Sequence, residues 1–246
     1  MKAIVLAAGY ATRLYPLTLE RPKALLSVGG RPIIEHVLES LSDVDGLDEI
    51  HLVTNSKFAS VFEEWVASTG AGVRILDDRT SDEESKLGAI GDLDLTIRER
   101  SIDDDLLVVA GDNIFTESLA PFAAFGREKG APALGVYDVG DLDAIRRYNA
   151  IELDADDRVM FFEEKPERAP AQSTLTGIAL YFYPRSSLGR VHEYLEGGNN
   201  PDQPGRLVEW LYRRVPVFAW RVPGRWYDVG TEETLAEADR AFTPSR

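Results

Sequence analysis

Strand-like and helix-like segments alternate along most of this chain, and that alternation limits its fold more than any other feature. The first strand-like segment, Ala3-Ile4-Val5-Leu6, is apolar on both faces, as expected of a central strand in a parallel sheet. Residues 31–41 then carry apolar side chains at helical spacing. Because neighbouring parallel strands need a crossover connection, the pattern predicts an α/β protein built on a parallel sheet with crossover helices.

The same patterns predict where the individual elements lie. Helices are predicted over residues 31–41, 57–68, 88–100, 119–129, 187–196, 206–213 and 232–242. Strands are predicted over residues 3–6, 49–54, 72–76, 106–110, 133–139, 150–153, 159–164, 177–183 and 217–222. The strands after residue 133 are short and separated by polar turns, so part of the sheet should be antiparallel. No linker divides the chain, which predicts a single domain over residues 1–246.

Composition excludes several classes of protein. The 246 residues are 44% hydrophobic and 28% charged, as in ordinary globular proteins. The chain has no cysteine, which excludes disulfides, thiolate zinc sites and cysteine nucleophiles. No apolar run approaches the ~20 residues that span a bilayer, and the apolar start is too short for a signal-peptide core. We therefore expect a cytoplasmic protein with no membrane partner.

The charge balance is strongly acidic. The net charge of −15 argues against nucleic acid or an anionic membrane as a partner. Only six of the 27 basic residues are lysines, and many acidic residues are clustered, for example at 77–78, 82–84 and 103–105. Such a surface suits a high-salt cytoplasm, where screening reduces self-repulsion. We expect a halophilic source and stabilisation by salt; an ordinary acidic enzyme is the alternative.

A long loop punctuated by glycine and proline, residues 9–30, follows the first strand directly. Loops of this length in compact domains are usually functional. Its small residues, Ala8 and Gly9, would let backbone N–H groups approach phosphate oxygens, and Arg13 could neutralise them. The spacing is neither a P-loop nor a three-glycine dinucleotide fingerprint, so a tight turn without a ligand remains the alternative. Lys23, on the same loop, is either a second phosphate ligand or a solvated lysine.

Two aspartates, Asp112 and Asp228, each stand just beyond a strand-like segment. Open α/β sheets bind ligands beyond the carboxyl ends of their strands. Two carboxylates converging there would suit Mg²⁺, which takes hard oxygen ligands and shares them with substrate phosphates. Either residue alone would be an ordinary turn former. The three histidines have no metal-ligand spacing and are interpreted as structural.

Six short motifs, in order, resemble those of the sugar-phosphate nucleotidyltransferases, the family that includes glucose-1-phosphate thymidylyl- and uridylyltransferases. The motifs are Leu6 to Leu14 with Pro22-Lys23, Gly88 to Gly91, Gly111 to Phe115, Glu163 to Pro166, Leu175 to Tyr181 and Trp226 to Thr231. They cover about residues 1–234. One departure is Ala11, where the family usually has glycine, and we expect the extra methyl group to be a small steric change. Another is Asn149, where thymidylyltransferases have glycine.

The resemblance implies the nucleotide-diphospho-sugar transferase fold, a Rossmann-like α/β domain with a mixed, mostly parallel sheet and helices on both faces. About residues 1–130 would bind the nucleotide and about residues 131–240 the sugar phosphate. The implied reaction joins an NTP (dTTP or UTP) to a sugar 1-phosphate, with glucose 1-phosphate as the leading acceptor. It yields an NDP-sugar and pyrophosphate and uses Mg²⁺.

The resemblance also implies a role for each motif residue. Arg13, Lys23 and Lys165 would be catalytic; Leu6, Ala8, Gly9 and Gly88 would bind the nucleotide; Asn149, Glu164, Lys165, Thr176 and Gly177 would bind the sugar phosphate; Asp112 and Asp228 would bind the metal. Two other functions stay open: a nucleotidyltransferase for another phosphorylated acceptor such as phosphocholine, and a non-catalytic nucleotide-sugar-binding module. The complete charged set counts against the module. The oligomeric state is also open, a homo-oligomer being one option.

Overall fold

The computed structural model describes residues 1–167 and 173–243. The strands are β1 (Lys2–Leu6), β2 (Ser27–Val28), β3 (Arg31–Pro32), β4 (Glu49–Thr54), β5 (Val73–Asp77), β6 (Leu106–Ala110), β7 (Asn113–Phe115), β8 (Ala133–Asp138), β9 (Asn149–Leu153), β10 (Val159–Glu164), β11 (Leu175–Tyr183), β12 (Phe218–Arg221) and β13 (Trp226–Asp228). The helices are α1 (Ile33–Leu41), α2 (Ala59–Thr69), α3 (Ala89–Glu99), α4 (Ala120–Lys129), α5 (Gly189–Glu196), α6 (Gly205–Leu211) and α7 (Glu232–Phe242). Each predicted helix and strand is present, with ends shifted by a few residues.

The central sheet has seven strands in the order β12-β8-β11-β6-β1-β4-β5. Every pairing is parallel except those of β11, which is antiparallel to both β6 and β8. The mixed, mostly parallel sheet expected from the sequence is therefore confirmed. Strands from the first and the second half of the chain share this one sheet, as a single domain requires.

Apolar clusters cover both faces of the sheet. Along β1, Ile4 belongs to one cluster and Val5 to the other, because successive side chains of a strand point to opposite faces. One cluster packs β1 against α1, and the other packs it against α3, with Ile34 and Leu93 as examples. This explains why the strand is apolar throughout. No helix among the described residues is long and apolar enough to cross a membrane.

Within residues 1–167 and 173–243, three small two-stranded sheets stand outside the central one, and the sequence patterns did not predict them as separate units. They are β9 with β10, β7 with β13, and β2 with β3. The pairing of β2 with β3 shortens the first predicted helix, because Arg31 and Pro32 pair with Val28 and Ser27 instead of starting the helix. The other two sheets carry motif residues to the cleft described next.

Candidate active site

A cleft of about 490 Å³ opens beyond the carboxyl ends of β1 and β6. The two strands are held together there by a hydrogen bond from the Gly111 N–H to the Leu6 carbonyl, 2.9 Å long. Of the thirteen sequence-predicted site residues, eleven line this cleft. They are Leu6, Ala8, Gly9, Arg13, Lys23, Gly88, Asp112, Asn149, Glu164, Gly177 and Asp228. Residues spread over 223 positions of the chain thus meet in one place.

The loop after β1 forms one wall. A Cβ added to Gly9 would meet nothing within 4 Å, so the backbone at this position is open to a ligand. Ala11 has a φ of 49°, in the left-handed region where glycine is favoured. Our expectation of a small steric change at Ala11 was therefore incomplete, because the cost of a side chain here is conformational. The buried Thr18 hydroxyl donates to the Ala11 carbonyl over 2.8 Å and holds the turn.

The cations of this loop point to the two aspartates. Lys23 forms an ion pair with Asp112, and both side chains are about one-fifth exposed. The Arg13 side chain is exposed and lines the cleft, where its charge, like that of Lys23, opposes the rise in the pKa of Asp228. The two positive charges therefore lie where a phosphate-bearing ligand would need them.

The small sheet of β7 and β13 brings Asp112 and Asp228 together. Asp228 is directly opposite Asn113 in that sheet, and the Val229 N–H donates to the Asp112 carbonyl over 3.1 Å. Burial and the negative charge of Asp112 raise the pKa of Asp228 to about 6. Backbone pairing thus holds Asp228 close enough to Asp112 for the charge of Asp112 to disfavour ionisation of Asp228, and a cation nearby would relieve that repulsion.

The donor set fits Mg²⁺ that arrives with a phosphorylated substrate. Among the described residues there is no group of three or more side chains able to hold a metal by themselves. Two carboxylates are nevertheless what Mg²⁺ needs when it keeps waters and takes its remaining oxygens from phosphates. Asp112 and Asp228 supply that pair, so the metal assignment stays a prediction that the geometry supports.

The start of α3 forms the opposite wall of the cleft. Gly88 has a φ of 80°, and a Cβ there would lie 2.6 Å from the Pro201 carbonyl. This glycine is therefore needed for packing against residues 201–202 as well as for any close approach of a ligand. The Ile90 N–H donates to the same carbonyl over 2.8 Å, which fixes the segment before α6 against α3.

A buried carboxyl pair, Asp78 and Asp92, lies behind this wall, and Asp92 also lines the cleft. Burial and the proximity of Asp78 raise the pKa of Asp92 above its ordinary value. Asp78 accepts a hydrogen bond from the Thr80 N–H over 2.7 Å. Sequence reasoning missed this pair because its acidic surroundings resemble a solvated surface cluster.

The end of the cleft lined by Asn149, Glu164 and Gly177 is called the acceptor end here, after the role predicted for it from the sequence. It contains a network of hydrogen bonds between uncharged groups, beside one carboxyl group. The Asn149 side chain donates to the Gly177 carbonyl over 2.8 Å and accepts from the Gly177 N–H over 2.6 Å. The Thr176 hydroxyl donates to the same amide oxygen over 3.1 Å. Beside them, burial raises the pKa of Glu164 to about 7, against the opposing charges of Lys165 and Arg206.

Two predicted site residues do not line the cleft. The Lys165 side chain is exposed, and its backbone is held in the left-handed region by a 2.9 Å hydrogen bond from its N–H to the Tyr148 carbonyl. Thr176 is fully buried behind Asn149. The structure therefore corrects their expected positions: the turn after β10 directs Lys165 outward, and the alternation along β11 places the Thr176 side chain within the protein. Their catalytic and binding roles stay predictions.

Several lining residues were not among the predicted site residues. Tyr148 and Trp226 form an edge-to-face pair with ring centroids 5.6 Å apart, and the Trp226 indole N–H donates to the Asn113 amide oxygen over 2.7 Å. The segment 202–205 reaches the cleft from the second half of the chain. Trp226 belongs to a recognised motif and Tyr148 directly precedes Asn149, so the sequence contained a signal for both aromatic residues. The segment carried no signal, because its position depends on contacts with α3, more than 100 residues away.

The histidines agree with a structural interpretation. His36 is buried and its ring contacts the Val28 carbonyl at 2.9 Å, and His51 is buried within β4, where desolvation lowers its pKa. His192 is half exposed beside Asp94. None of the three lines the cleft.

An open α/β sheet with a charged cleft beyond its parallel strands places the chain among the α/β proteins that bind ligands at that edge. More specifically, the sequence pattern of the family described as Nucleotidyl transferase matches residues 2–245. The chain belongs to that family, which confirms the resemblance stated from its motifs.

Individual relatives agree with this assignment. A protein of Haloferax volcanii named UTP–glucose-1-phosphate uridylyltransferase AglF is 28% identical over 241 residues, which cover 98% of this chain and 96% of the relative. The bifunctional protein GlmU of Methanocaldococcus jannaschii is 26% identical over 98% of this chain, which spans 54% of that protein. A solved structure of UDP-glucose pyrophosphorylase with UDP-glucose has a TM-score of 0.81 at 19% identity, covering 98% of this chain and 97% of the other. The last of these shows the shared fold.

Proposed function

We propose that the chain transfers a nucleotidyl group from an NTP to a sugar 1-phosphate, giving an NDP-sugar and pyrophosphate. The observation that carries the proposal is the pairing of β7 with β13, which joins Asp112 and Asp228 below a loop that carries Arg13 and Lys23. The family membership and the full-length relative from Haloferax volcanii support the same reaction.

In this reaction a phosphate oxygen of the acceptor attacks the α-phosphorus in line, and the bond to pyrophosphate breaks. No protein nucleophile is needed, so catalysis consists of positioning and charge neutralisation. Arg13 and Lys23 bind the triphosphate and stabilise the departing pyrophosphate. Asp112 and Asp228 would hold Mg²⁺, and the bound metal would supply positive charge that offsets the charge of the substrate phosphates. Because Lys23 pairs with Asp112, its amine must exchange this carboxylate for phosphate oxygens as the substrates bind.

The acceptor end provides the remaining contacts. Glu164 and Asn149 line the cleft where the sugar would lie, and Lys165 lies close enough to Glu164 to lower its pKa. The Lys165 side chain is exposed, and we propose that its amine binds the acceptor phosphate. We propose UTP or dTTP as the nucleotide and glucose 1-phosphate as the leading acceptor. UTP and glucose 1-phosphate are the substrates in the name of the Haloferax relative, and dTTP is implied by the resemblance of Gly111 to Phe115 to the thymidylyltransferase form of that motif.

A pyrophosphate-release assay tests the proposal. The purified chain is incubated with Mg²⁺ and each of five NTPs, paired with several sugar 1-phosphates and with phosphocholine. We expect turnover with UTP or dTTP and a hexose 1-phosphate. Turnover with phosphocholine but with no sugar 1-phosphate would show that the acceptor is not a sugar phosphate. Tight nucleotide-sugar binding without turnover in any pair would identify a binding module instead.

A further inference from the structure

Strand β11 loses one neighbour where it reaches the cleft. It pairs with β6 over Leu180–Tyr183, and its register against β8 shifts between Gly177 and Tyr181. The residues in that irregular stretch, 177–179, line the cleft. Because β6 ends at Ala110, this part of β11 is not paired with β6, and the peptide groups on that edge need another partner.

The side chain of Asn149 is that partner. Its amide oxygen accepts from the Gly177 N–H over 2.6 Å, and its amide nitrogen donates to the Gly177 carbonyl over 2.8 Å. One side-chain amide thus replaces the peptide group of a missing strand. The contact is close, since a Cβ at Gly177 would lie 2.7 Å from Leu134 and 3.1 Å from the amide oxygen of Asn149. Asn149 is only 6% exposed, yet it lines the acceptor end of the cleft together with Glu164.

This arrangement affects what the cleft can recognise. A free N–H and carbonyl on the floor of a sugar-binding cleft would pair with ring hydroxyls of the acceptor. Asn149 occupies both groups and also fills the space in front of them. We infer that Asn149 is a specificity-determining residue: it closes the floor of the acceptor end and excludes hexose 1-phosphates whose ring substituents need the Gly177 peptide or the volume of the amide. This inference rests on the proposed function.

The variant Asn149→Ala tests the inference, because it removes the amide and keeps a side chain suited to a strand. The measurement is kcat/KM, with the preferred NTP, for the 1-phosphates of glucose, galactose, mannose and N-acetylglucosamine. We expect the ratio between the best and the next-best acceptor to fall about tenfold, mainly through a lower KM for the disfavoured acceptor. An unchanged ratio in the folded variant would overturn the inference.

Asn199→Ala is the matched control. It removes a side-chain amide that donates to the Tyr194 carbonyl over 2.7 Å and does not line the cleft. It should lower the melting temperature and keep the acceptor ratio, whereas a purely structural role of Asn149 would give both variants the same behaviour. Such identical behaviour would count against the inference.

A second measurement uses the wild-type protein, so it does not depend on the folding of a variant. In ¹⁵N NMR spectra, the Gly177 amide and the Asn149 side-chain amide should keep their chemical shifts when the preferred acceptor saturates the cleft. Shifts showing that the acceptor replaces Asn149 at Gly177 would overturn the inference. Wild-type protein with no turnover in any substrate pair would overturn the proposed function itself, whereas turnover with an unchanged acceptor ratio would remove only this inference.

Discussion

The two ends of the cleft are held by different forces. At one end, called the charged end, Lys23, Asp112 and Asp228 interact through charge, and their side chains keep access to solvent. At the acceptor end, Asn149 and Gly177 are buried and joined by short hydrogen bonds between uncharged groups. The charged groups of the first end can bind a ligand of complementary charge. The polar groups of the second end already form hydrogen bonds within the protein.

The difference indicates a division of work. Coulomb attraction depends weakly on direction, so under the proposed function the charged end would bind the triphosphate of many nucleotides and neutralise charge as it develops. Hydrogen bonds depend strongly on direction, so the acceptor end would select among sugars that differ in one hydroxyl. Substitutions at the charged end should therefore affect turnover, and substitutions at the acceptor end should affect selectivity, stability or pH dependence.

The largest effect is expected for Lys23→Ala. Removing a positive charge from the triphosphate should lower kcat by about 100-fold or more, with little change in melting temperature because the loop remains accessible to solvent. The matched control is Lys129→Ala, at the end of α4, where the amine lies over the Phe218 ring and does not line the cleft. Near-wild-type turnover of the Lys23 variant at saturating substrate would contradict its role.

The next effect concerns Asp112→Asn, Asp228→Asn and the double variant. If both carboxylates hold one Mg²⁺, each single change should raise the Mg²⁺ concentration needed for half-maximal turnover. The loss of transition-state stabilisation in the double variant should also be smaller than the sum of the two single losses, by about 1–3 kcal/mol. The exposed turn residue Asp156 provides a control as Asp156→Asn. Additive losses, or wild-type metal dependence in the single variants, would show that the two aspartates do not share a metal.

A smaller effect is expected at the acceptor end, where Glu164 should make the free energy of unfolding depend on pH. Partial burial raises the pKa of Glu164 in the folded protein from its ordinary value of 4.5 to about 7. Between these values the folded state binds more protons than the unfolded state, so the free energy of unfolding falls as pH rises from about 4.5 to 7. Glu164→Gln should reduce this fall by roughly 2 kcal/mol. Denaturant unfolding of the wild type and the variant at pH 5 and pH 8 measures this change in the free energy of unfolding. The same change in both proteins would contradict the prediction.

The smallest effect is expected for Ala11→Gly, in the loop beside the charged end. Glycine adopts the left-handed backbone without steric cost, although it gains more entropy in the unfolded chain. The variant should be more stable by about 0.5–1 kcal/mol. The opposite control is Ala59→Gly in the first turn of α2, where glycine should destabilise. A destabilised Ala11 variant would mean that its methyl group makes a contact outweighing the backbone cost.

The predicted elements agree with the structure where the apolar period is long, as in β4, β6 and α7, whose ends match the predicted ones. Prediction failed for β7 and β13, which are three residues long and pair with each other instead of with the central sheet. A strand so short has no detectable period, and its partner lies more than 100 residues away along the chain. Motif matching located Asp112 and Asp228 at this point, but it could not show what joins them.

The sequence by itself determined the class of fold and most of the cleft's chemistry, because apolar periodicity fixes which faces are buried and the motifs contain the charged groups. Tertiary structure decided how those groups are used. It turned the Lys165 side chain outward, buried Thr176, and directed the Asn149 amide to the Gly177 peptide. Such outcomes depend on the direction of a side chain and on partners distant in the chain, and a residue's type and position in the sequence carry neither.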